Sequence, residues 1–543
     1  MTNLATWIVQ TLAANGVDTV FGIPGVHTIE LYRALDGSGI THITPRHEQG
    51  AGFMADGYAR VTGRPGVCFA ITGPGLTNIA TAMGQAYGDS IAMLVISTVN
   101  SAGAMGSGAG HLHELPDQQQ LMSQVSAFSH TVLTVEEFPM VLSRALAIFA
   151  SARPRPIHIE IPVDLLTADA TRLGPARKLA VPSRPSAPET VLSTAAGLCE
   201  RSARPLIIAG GGAVRAAEAI RELAERLDAP VLMTVNGRGI LAGDHPLALP
   251  VWPGGQVGGA AMQEADLILA IGTELGPTDF EDRLVEHQSL SAPLIRCDVD
   301  AEQSVRGRLP DLPVVADASD FAGRLAARLP IRGTGQGTCR AARFRDALNA
   351  DLTPRQRTSI RVIEYLRDSA SGAVIVGDST QPIYAACTAF AASAPAQFFC
   401  SATGYGTLGY ALPAAIGAAL GKPGSSPVFA VVGDGGLQFS LSEMGTAVEA
   451  GTNVIMILWN NRGYGEIKAH MERASVTPIG VDIHTPDFRL LANGYGWAYA
   501  KADNLRSLGA AISDAMALNR PAVVELDETS LNEAEEADSP GLG

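Results

Sequence analysis

The chain has 543 residues, of which 46% are hydrophobic and 5% aromatic, and it contains 58 glycines and 33 prolines. This composition is typical of an α/β protein with many strand–helix turns, and it excludes a fibrous or a disordered chain. The net charge of −15 and the lack of a long basic run argue against nucleic-acid binding, because phosphates need lysines and arginines to neutralise them.

The first part of the chain, residues 1–166, alternates short apolar strands with helices. Repeated strand–loop–helix units of this kind predict an α/β domain built on a doubly wound parallel sheet. The predicted strands are Val17–Phe21, Ile40–Pro45, Val67–Thr72, Ala92–Ser97 and Ile157–Ile161, and the predicted helices are residues 3–15, Thr28–Leu35, Gly50–Thr62 and a segment that ends near Asp89.

Two further α/β domains are predicted, at 189–330 and 345–530. They are separated by linkers at 167–188 and 331–344, which have little periodicity, and an acidic tail at 531–543 is expected to be frayed. The predicted strands of the central domain are Pro205–Ala209, 230–234, 266–271 and 293–298, with a helix at 214–227. Those of the last domain are Ala373–Val376, Val428–Val432, Val454–Trp459 and Ala522–Leu526, with a helix at Ser440–Ala450.

The most informative stretch of the last domain is residues 428–467. A strand runs into the turn Gly433-Asp434-Gly435-Gly436, a helix follows, and the next strand ends at Asn460-Asn461. A strand–helix–strand crossover brings both strand ends to the same edge of a parallel sheet, so Asp434 and Asn461 are expected to lie side by side. Their oxygens, with a nearby carbonyl, suit Mg²⁺, while the glycines allow a phosphate to approach the backbone closely.

The central domain contains the run Gly210-Gly211-Gly212 after a predicted strand. The run lacks the GxGxxG spacing, so its dinucleotide signal is weak. Whether this domain binds FAD or ADP stays open at this point.

The six cysteines are scattered and form no CxxC pair. They are expected to be buried thiols in a reducing compartment. The N-terminus has no signal-like pattern and no apolar stretch is long enough to span a membrane, so a cytoplasmic protein without membrane contacts is expected.

Taken together, the motifs resemble those of thiamine diphosphate (ThDP) enzymes of the acetolactate synthase-like family. The similar segments are RHEQGAGFMADGYAR at 46–60, TGYGTLGYALPAAIGAAL at 403–420 and the Asp434-to-Asn461 unit. The resemblance implies the ThDP-binding fold with three α/β domains, namely a pyrimidine-binding (Pyr) domain, a middle domain and a diphosphate-binding (PP) domain.

The resemblance also implies the cofactor site. Glu48, which by position alone could be only a helix cap, would hydrogen-bond the aminopyrimidine ring, and Leu408 would hold the cofactor in its bent shape. Asp434, Asn461 and the carbonyl of Gly463 would bind Mg²⁺. The full predicted set of cofactor-binding residues is Glu48, Gly73, Asn78, Ser379, Thr380, Gln381, Gly406, Leu408, Gly433, Asp434, Gly435, Gly436, Asn461, Gly463 and Tyr464.

The implied reaction is non-oxidative decarboxylation of a 2-oxo acid to an aldehyde through a C2 ylide and an enamine. His113, in GHLHELPDQ, is the predicted proton donor, and Glu466 is predicted to face the substrate as a catalytic or binding group. The family members most similar in these segments act on guanidino 2-oxo acids, so 5-guanidino-2-oxopentanoate is the favoured substrate. The predicted substrate residues are Gly25, His111, His113, Asp279 and Glu466.

Three alternatives remain at this stage. They are a carboligase of the acetolactate synthase type, an FAD-dependent 2-oxo acid oxidase and a non-catalytic binding protein. The family's active site lies between two chains, so at least a homodimer is expected, with a homotetramer favoured.

Overall fold

The computed structural model describes residues 2–280, 291–333, 335–422, 424 and 426–531. Its strands form three six-stranded sheets, and every pair of neighbouring strands in them is parallel. Helices alternate with the strands along the chain. The prediction of three doubly wound α/β domains is therefore confirmed. The predicted acidic tail lies outside the described residues except for Leu531.

The first sheet has the strand order β2-β1-β3-β4-β6-β5. Its strands are β1 (Thr19–Gly22), β2 (Thr41–Ile43), β3 (Gly66–Ala70), β4 (Met93–Val99), β5 (Phe128–Thr131) and β6 (Ile157–Pro162). The helices are α1 (Leu4–Ala14), α2 (Ile29–Leu35), α3 (Glu48–Thr62), α4 (Pro74–Asp89), α5 (Gln118–Ser123), α6 (Phe138–Ser151) and α7 (Val163–Leu166). The inner strands β3 and β4 are buried along their whole length, as expected for a sheet covered by helices on both faces.

The middle sheet has the order β12-β11-β10-β7-β8-β9. Its strands are β7 (Pro205–Ala209), β8 (Val231–Met233), β9 (Ala248–Leu249), β10 (Leu267–Ile271), β11 (Leu294–Asp298) and β12 (Leu312–Val315), and its helices are α8 (Glu189–Arg201), α9 (Ala217–Leu227), α10 (Gln256–Glu264), α11 (Pro277–Phe280) and α12 (Ala318–Ala326). The strand order reverses between β7 and β10, which is the switch point where such sheets bind ligands.

The third sheet has the order β14-β13-β15-β16-β18-β17, the same pattern as the first. Its strands are β13 (Val374–Gly377), β14 (Phe398–Cys400), β15 (Val428–Gly433), β16 (Val454–Asn460), β17 (Ala498–Ala502) and β18 (Ala522–Asp527). The helices are α13 (Gln336–Asp351), α14 (Pro354–Ser369), α15 (Gln381–Ala389), α16 (Ala411–Gly421), α17 (Asp434–Leu437), α18 (Glu443–Glu449), α19 (Gly465–Arg473), α20 (Phe488–Gly494) and α21 (Leu505–Ala517).

Two differences from the predicted elements have simple physical reasons. Helix α13 begins at Gln336, inside the segment predicted as a linker over 331–344, because Arg340, Ala341 and Phe344 bury one face of it. The strands that the sequence did not predict are β5, β9, β12, β14 and β17, and each lies at an edge of its sheet. Strands β9 and β14 are buried but only two and three residues long, whereas β5, β12 and β17 are only partly buried, so all five have a weak hydrophobic pattern.

The first and third domains meet through α3 and α16. Small residues allow these helices to approach closely, since a Cβ at Gly57 would lie 1.9 Å from the carbonyl oxygen of Ala414. The contact is also polar at its centre, where the buried Asp56 binds Arg60 at 2.7 Å and the Tyr410 hydroxyl at 2.5 Å. The two domains therefore form one continuous packed unit within the chain.

All six cysteines are free thiols, and four of them are buried. The prediction that all would be buried is wrong for Cys339, which is exposed, and for Cys387, which is half-buried. Among the helices that the structure describes, none combines the length and the apolar character needed to cross a membrane.

Candidate active site

Glu48 lies at the carboxyl edge of the first sheet, as the first residue of α3. The preceding residue, His47, is extended and caps the helix by accepting a hydrogen bond from Gln49 N at 3.1 Å. Glu48 is only 9% exposed, and its Oε2 accepts a hydrogen bond from Asn78 Nδ2 at 2.9 Å. The structure thus brings together two of the predicted cofactor-binding residues, which come from helices that follow β2 and β3.

Gly73 joins the same edge of the sheet at the start of α4. Its φ of 69° is left-handed, and a Cβ there would lie 2.4 Å from the carbonyl oxygen of His113, so only glycine fits. Its N–H donates to Gln118 Oε1 at 2.9 Å, and Gln118 Nε2 donates to Glu160 at 2.7 Å. Burial raises the pKa of Glu160, while its hydrogen bonds with Thr131 and Gln118 lower it. This buried chain of hydrogen bonds fixes Gly73 against the loop that carries His113.

The structure places His113 at this edge but separates it from His111. His113 is half-buried, and its ring meets that of His27 edge-on, with 5.3 Å between the centroids. His111 is exposed, and its backbone N–H donates to Glu114 at 3.0 Å. Gly25, a predicted substrate residue, lies in the loop after β1, two residues before His27.

His27 is a site residue that the sequence reasoning missed. It lies five residues after the end of β1, in FGIPGVHTIE, and the loops after β1 and β3 flank the switch point of this sheet. A search of the loops that follow inner strands for titratable side chains would have found it.

Asp434, Asn461 and Gly463 come together at the carboxyl edge of the third sheet. Asn461 N donates to Asp434 Oδ1 at 3.3 Å, and the Gly463 carbonyl oxygen lies 3.5 Å from the position of a Cβ at Gly435. Asp434 is fully buried, yet no described lysine, arginine or histidine pairs with it. Burial raises the pKa of Asp434, because its charged form has only weak partners.

These oxygens fit a divalent cation. No group of three described His, Cys, Asp or Glu side chains could hold a metal, but a carboxylate, an amide oxygen and a carbonyl oxygen are a donor set that Mg²⁺ accepts. A buried carboxylate without a cationic partner would be stabilised by such an ion. This donor set fits the predicted metal, and Asp434 would be its one charged member.

The glycines in the turn beside Asp434 allow neighbouring groups to lie close to the backbone. A Cβ at Gly435 would lie 2.8 Å from the Tyr464 ring, and one at Gly433 would lie 3.1 Å from Thr380 Oγ1. Thr380 reaches this turn from the loop after β13, and the next residue, Gln381, accepts from Asn461 Nδ2 at 3.3 Å through its Oε1. Ser379 precedes them in the same loop. Backbone N–H groups and hydroxyls of this kind suit diphosphate oxygens.

Asp378 is a second residue that the predicted site omitted. It is fully buried, and burial raises its pKa to about 6 although several backbone N–H groups donate to it. Ser379 N donates to its Oδ1 at 2.8 Å and Ala411 N to its Oδ2 at 3.4 Å. Asp378 therefore ties the loop with Ser379 to the start of α16.

Leu408 and Gly406 lie in the loop between β14 and α16. Leu408 is half-buried, and Gly406 has a φ of 70°, which favours glycine. The loop is held from both sides, because Ser401 Oγ donates to the Thr407 carbonyl at 2.7 Å and the Thr407 hydroxyl donates to Gln85 of the first domain at 2.9 Å. A bulky side chain is thus presented from a restrained loop.

The last two predicted substrate residues lie apart from the others. Glu466, on α19, binds Arg473 at 3.3 Å and His470 at 3.4 Å on its own helix. Burial raises the pKa of Tyr384 on α15, and the charge of Glu466 raises it further. Asp279 lies beside Val235 and Arg238 in the middle domain. The structure therefore keeps Glu466 near the third-sheet site but places Asp279 elsewhere.

Asp279 lines a cavity of about 300 Å³ at the switch point of the middle sheet. Gly211, Gly212 and Gly272 form one wall, and several arginines, among them Arg153, form another. Arg153 forms a close ion pair with Glu274, and burial lowers its pKa to about 10. Apart from Asp279, no predicted site residue lines this cavity, so it is separate from both clusters described above.

Replacing Asp279 with asparagine is expected to stabilise the protein at pH 7.5. Burial raises the pKa of Asp279 from 3.8 to about 6, and its Oδ1 is buried without a partner among the described residues. Between these two pH values the folded state binds more protons than the unfolded state, so stability falls as pH rises through this window. The free energy of unfolding of Asp279→Asn should therefore exceed that of the wild type by about 1–3 kcal/mol at pH 7.5 and equal it at pH 3.5.

Thermal unfolding at the two pH values measures this effect. The exposed Asp346 provides a matched Asp→Asn control, which should leave the Tm unchanged at both pH values. A variant Asp279→Asn that is no more stable than the wild type at pH 7.5 would contradict the expectation.

Within one chain, the first-sheet cluster and the third-sheet cluster do not touch. No hydrogen bond or ion pair between described residues joins Glu48, Asn78 or His113 to Asp434 or Asn461. The sequence-based prediction assigns the two clusters to different halves of one site, and that assignment stays a prediction.

Family models match all three domains of this chain. The thiamine pyrophosphate enzyme N-terminal TPP-binding domain matches residues 2–121, the central domain matches 192–325, and the C-terminal TPP-binding domain matches 378–526. The chain belongs to the thiamine pyrophosphate enzyme family, and it is an enzyme that depends on thiamine diphosphate.

The identity of the chain to individual relatives differs between two kinds of enzyme. The chain is 44% identical, over 92% of its length and 89% of the relative's, to the probable 2-ketoarginine decarboxylase AruI of Pseudomonas aeruginosa. It is 32% identical, over 95% of its length and 92% of the relative's, to acetolactate synthase isozyme 1 large subunit of Escherichia coli. Identity is also 32% to the acetolactate synthase large subunit IlvB1 of Mycobacterium tuberculosis, over 95% and 86% of the two chains.

Proposed function

We propose that this enzyme decarboxylates 5-guanidino-2-oxopentanoate, which is 2-ketoarginine, to CO₂ and 4-guanidinobutanal. The similarity to a probable 2-ketoarginine decarboxylase, at 44% identity over nearly the whole chain, carries the proposal. The acetolactate synthases are similar over as much of the chain but at 29–32% identity. Decarboxylation therefore ranks above carboligation.

The third-sheet cluster is proposed to hold the diphosphate end of the cofactor. Asp434, Asn461 and the Gly463 carbonyl would bind Mg²⁺, and the remaining ligands of the ion would be diphosphate oxygens. Ser379, Thr380, Gln381 and the glycine turn would donate hydrogen bonds to the same oxygens. When bound, thiamine diphosphate supplies the carbon nucleophile and the electron sink that decarboxylation of a 2-oxo acid needs.

The first-sheet cluster is proposed to hold the pyrimidine end. Glu48 would share a proton with a ring nitrogen, and the bond from Asn78 keeps its carboxylate oriented for this task. Leu408 would press the cofactor into its bent shape from a restrained loop. His113 would give a proton to the carbon atom that has lost CO₂, because an imidazole can donate near neutral pH.

Glu466 is proposed to recognise the guanidinium group of the substrate. In the structure it binds His470 and Arg473, so a guanidinium would take the place of a cation that is already there. A carboxylate binds a guanidinium through two parallel hydrogen bonds, which also fixes its orientation. Gly25 and Tyr464 lie on the loops that lead to the two half-sites and would border the substrate.

A panel of 2-oxo acids tests the function directly. The purified protein with thiamine diphosphate and Mg²⁺ would be given pyruvate and branched, aromatic and guanidino 2-oxo acids, with CO₂, aldehyde and acyloin measured. We expect the guanidino acid to have the highest kcat/KM and to yield the aldehyde. Acetolactate from pyruvate, with an inert guanidino acid, would instead establish the carboligase, and a yellow protein that consumes O₂ would establish the flavin-dependent oxidase.

Glu466→Gln provides a matched test of the substrate within the same panel. The variant should raise KM for the guanidino acid about tenfold, as expected for the loss of one charge-assisted contact, and leave KM for neutral substrates unchanged. An equal rise in KM for every substrate would show that Glu466 does not bind the guanidinium group.

The functional unit is proposed to be at least a homodimer, with a homotetramer favoured. The two half-sites do not meet within a chain, so a second copy would have to supply the missing half. Apolar side chains near both halves support this arrangement, since Val26, Leu112, Ile467 and Ile479 are each more than half exposed. A cytoplasmic location is proposed because all six cysteines are free thiols.

A further inference from the structure

Two histidines at the first-sheet edge share an unusual environment. The rings of His27 and His113 meet at 5.3 Å between centroids with an interplanar angle of 70°, and both side chains are half-buried. The Nδ1 atom of each ring is buried and has no hydrogen-bond partner among the described residues. The buried edge of each ring is thus the Nδ1 edge, which leaves Nε2 on the open side.

A packing role does not explain this pair. His158, a buried histidine in the same domain, has both ring nitrogens satisfied, by Ser97 Oγ at 2.8 Å and Ser129 Oγ at 2.7 Å. Buried polar atoms in native proteins nearly always have such partners, and those without them need another explanation. Two unpaired imidazole nitrogens side by side indicate a functional site.

The backbone holds both rings in place. The turn before His27 is closed by Thr28, whose hydroxyl accepts from Gly25 N at 3.0 Å. His113 has a φ of 61°, a left-handed conformation that costs free energy in a residue other than glycine. The loop keeps this conformation because Asn100 Nδ2 donates to the Leu112 carbonyl at 3.0 Å and Gly73 leaves room for the His113 carbonyl.

The proposed reaction needs two proton transfers at adjacent atoms. Decarboxylation of R–CO–COO⁻ consumes one proton and yields R–CHO and CO₂. The new C–H bond requires a proton donor. The substrate oxygen, which is protonated when its carbonyl is attacked, must lose that proton when the aldehyde C=O forms again.

We propose that His27 is a second catalytic residue, which accepts the proton from the substrate oxygen while His113 delivers one to carbon. This inference rests on the proposed function and extends it. The O–H bond breaks as the C=O bond forms, and the proton moves to His27 Nε2. From there it passes to solvent, so the ring is neutral again for the next turnover.

The surroundings of His27 favour an acceptor. Burial lowers the pKa of His27 below its ordinary value of 6.5, and the charge of His113 lowers it further. The other acids at this edge are already occupied, because Glu114 accepts hydrogen bonds from its own loop and Glu48 accepts one from Asn78. His113 is therefore the imidazole that His27 contacts directly.

His27→Phe tests the proposal, since it keeps a ring and removes the proton acceptor. We expect kcat for the 2-oxo acid to fall about 100-fold, with unchanged affinity for thiamine diphosphate. The acidic limb of the pH–rate profile, which lies below pH 6.5 for a neutral His27, should disappear. His27→Gln, which is less bulky, guards against misfolding and should show the same loss with a wild-type Tm.

A matched control and a second readout separate catalysis from structure. His245 of the middle domain, which belongs to neither cluster and pairs with Glu225 at 3.2 Å, provides a His→Phe control that should change kcat less than twofold. In the protein without cofactor, NMR titration of ¹³C-labelled histidines should give His27 a pKa below 6.5 that rises in His113→Phe.

The outcomes distinguish this inference from the function on which it rests. If no 2-oxo acid yields an aldehyde with the wild type, the proposed function fails and the role of His27 fails with it. If the wild type is active and His27→Phe keeps its rate and its acidic limb, only the role of His27 is overturned. The proposed role of His27 would also be overturned if its pKa were at or above 6.5 and did not change in His113→Phe.

Discussion

Glu48→Gln is expected to lower kcat by at least about 100-fold while thiamine diphosphate still binds. The carboxylate is buried at the start of α3, and Asn78 holds it at 2.9 Å. Glutamine has the same shape and can keep a hydrogen bond to Asn78, but it cannot exchange a proton with the cofactor ring. Proton transfer by a positioned side chain typically contributes 10²–10⁴-fold to a rate, so most of the activity should be lost.

Steady-state rates and cofactor binding, measured by fluorescence quenching, separate the two effects. Glu449 offers the same substitution on the surface, where its carboxylate pairs with Arg46 at 2.5 Å and is 57% exposed. Glu449→Gln should stay within twofold of the wild type, because exposed ion pairs contribute little. A variant Glu48→Gln with more than a tenth of the wild-type kcat would rule out the proposed role of this residue.

Asp434→Asn is expected to weaken Mg²⁺-dependent binding of thiamine diphosphate by at least about 100-fold. Asp434 is the only charged member of the proposed ligand set, and Mg²⁺ prefers anionic oxygen. Loss of a residue that merely orients a metal ligand typically costs 10–100-fold in affinity, so loss of the charged ligand itself should cost more. Activity should recover only in part at high Mg²⁺ and cofactor concentrations.

Calorimetric titration of Mg²⁺ and thiamine diphosphate into the variant measures the loss. Asparagine is isosteric and removes a buried charge without a cationic partner, so the protein without cofactor should keep its Tm. Asp503→Asn is a matched control in the same domain, where the side chain is 61% exposed and should not affect binding. Wild-type affinity for the cofactor and Mg²⁺ in Asp434→Asn would place the metal elsewhere.

The inner part of each sheet could be predicted from sequence because inner strands are buried on both faces. Their apolar runs, such as Val428 to Val432 in β15, are continuous and cannot be mistaken for loops. The edge strands were not predicted because they are very short, as β9 and β14 are, or only partly buried, as Ala498–Ala502 in β17 is. Only the neighbouring strand β18, paired with it in register, makes this segment a strand.

The positions of the predicted site residues at the sheet edges could be predicted for a related reason. A crossover unit forces Asp434 and Asn461 to one edge whatever else the chain does, and Glu48 follows a predicted strand in the same way. The grouping of His113 with His27 was not predictable, because the two loops are far apart in sequence and meet only in the folded domain. Their side-chain contact depends on the turn at Gly25 and on the left-handed backbone of His113.

What the sequence alone determined is the cofactor, through the resemblance of its local motifs to those of thiamine diphosphate enzymes. What only the tertiary structure decided is the surroundings of the substrate residues. Asp279 and Glu466 were both candidates from their positions in the sequence. In the fold, Asp279 lines a cavity to which all three domains contribute, whereas Glu466 lies beside the third-sheet site. The packing of the three domains against one another determines the surroundings of these two side chains. The sequence pattern of a single segment does not contain this information.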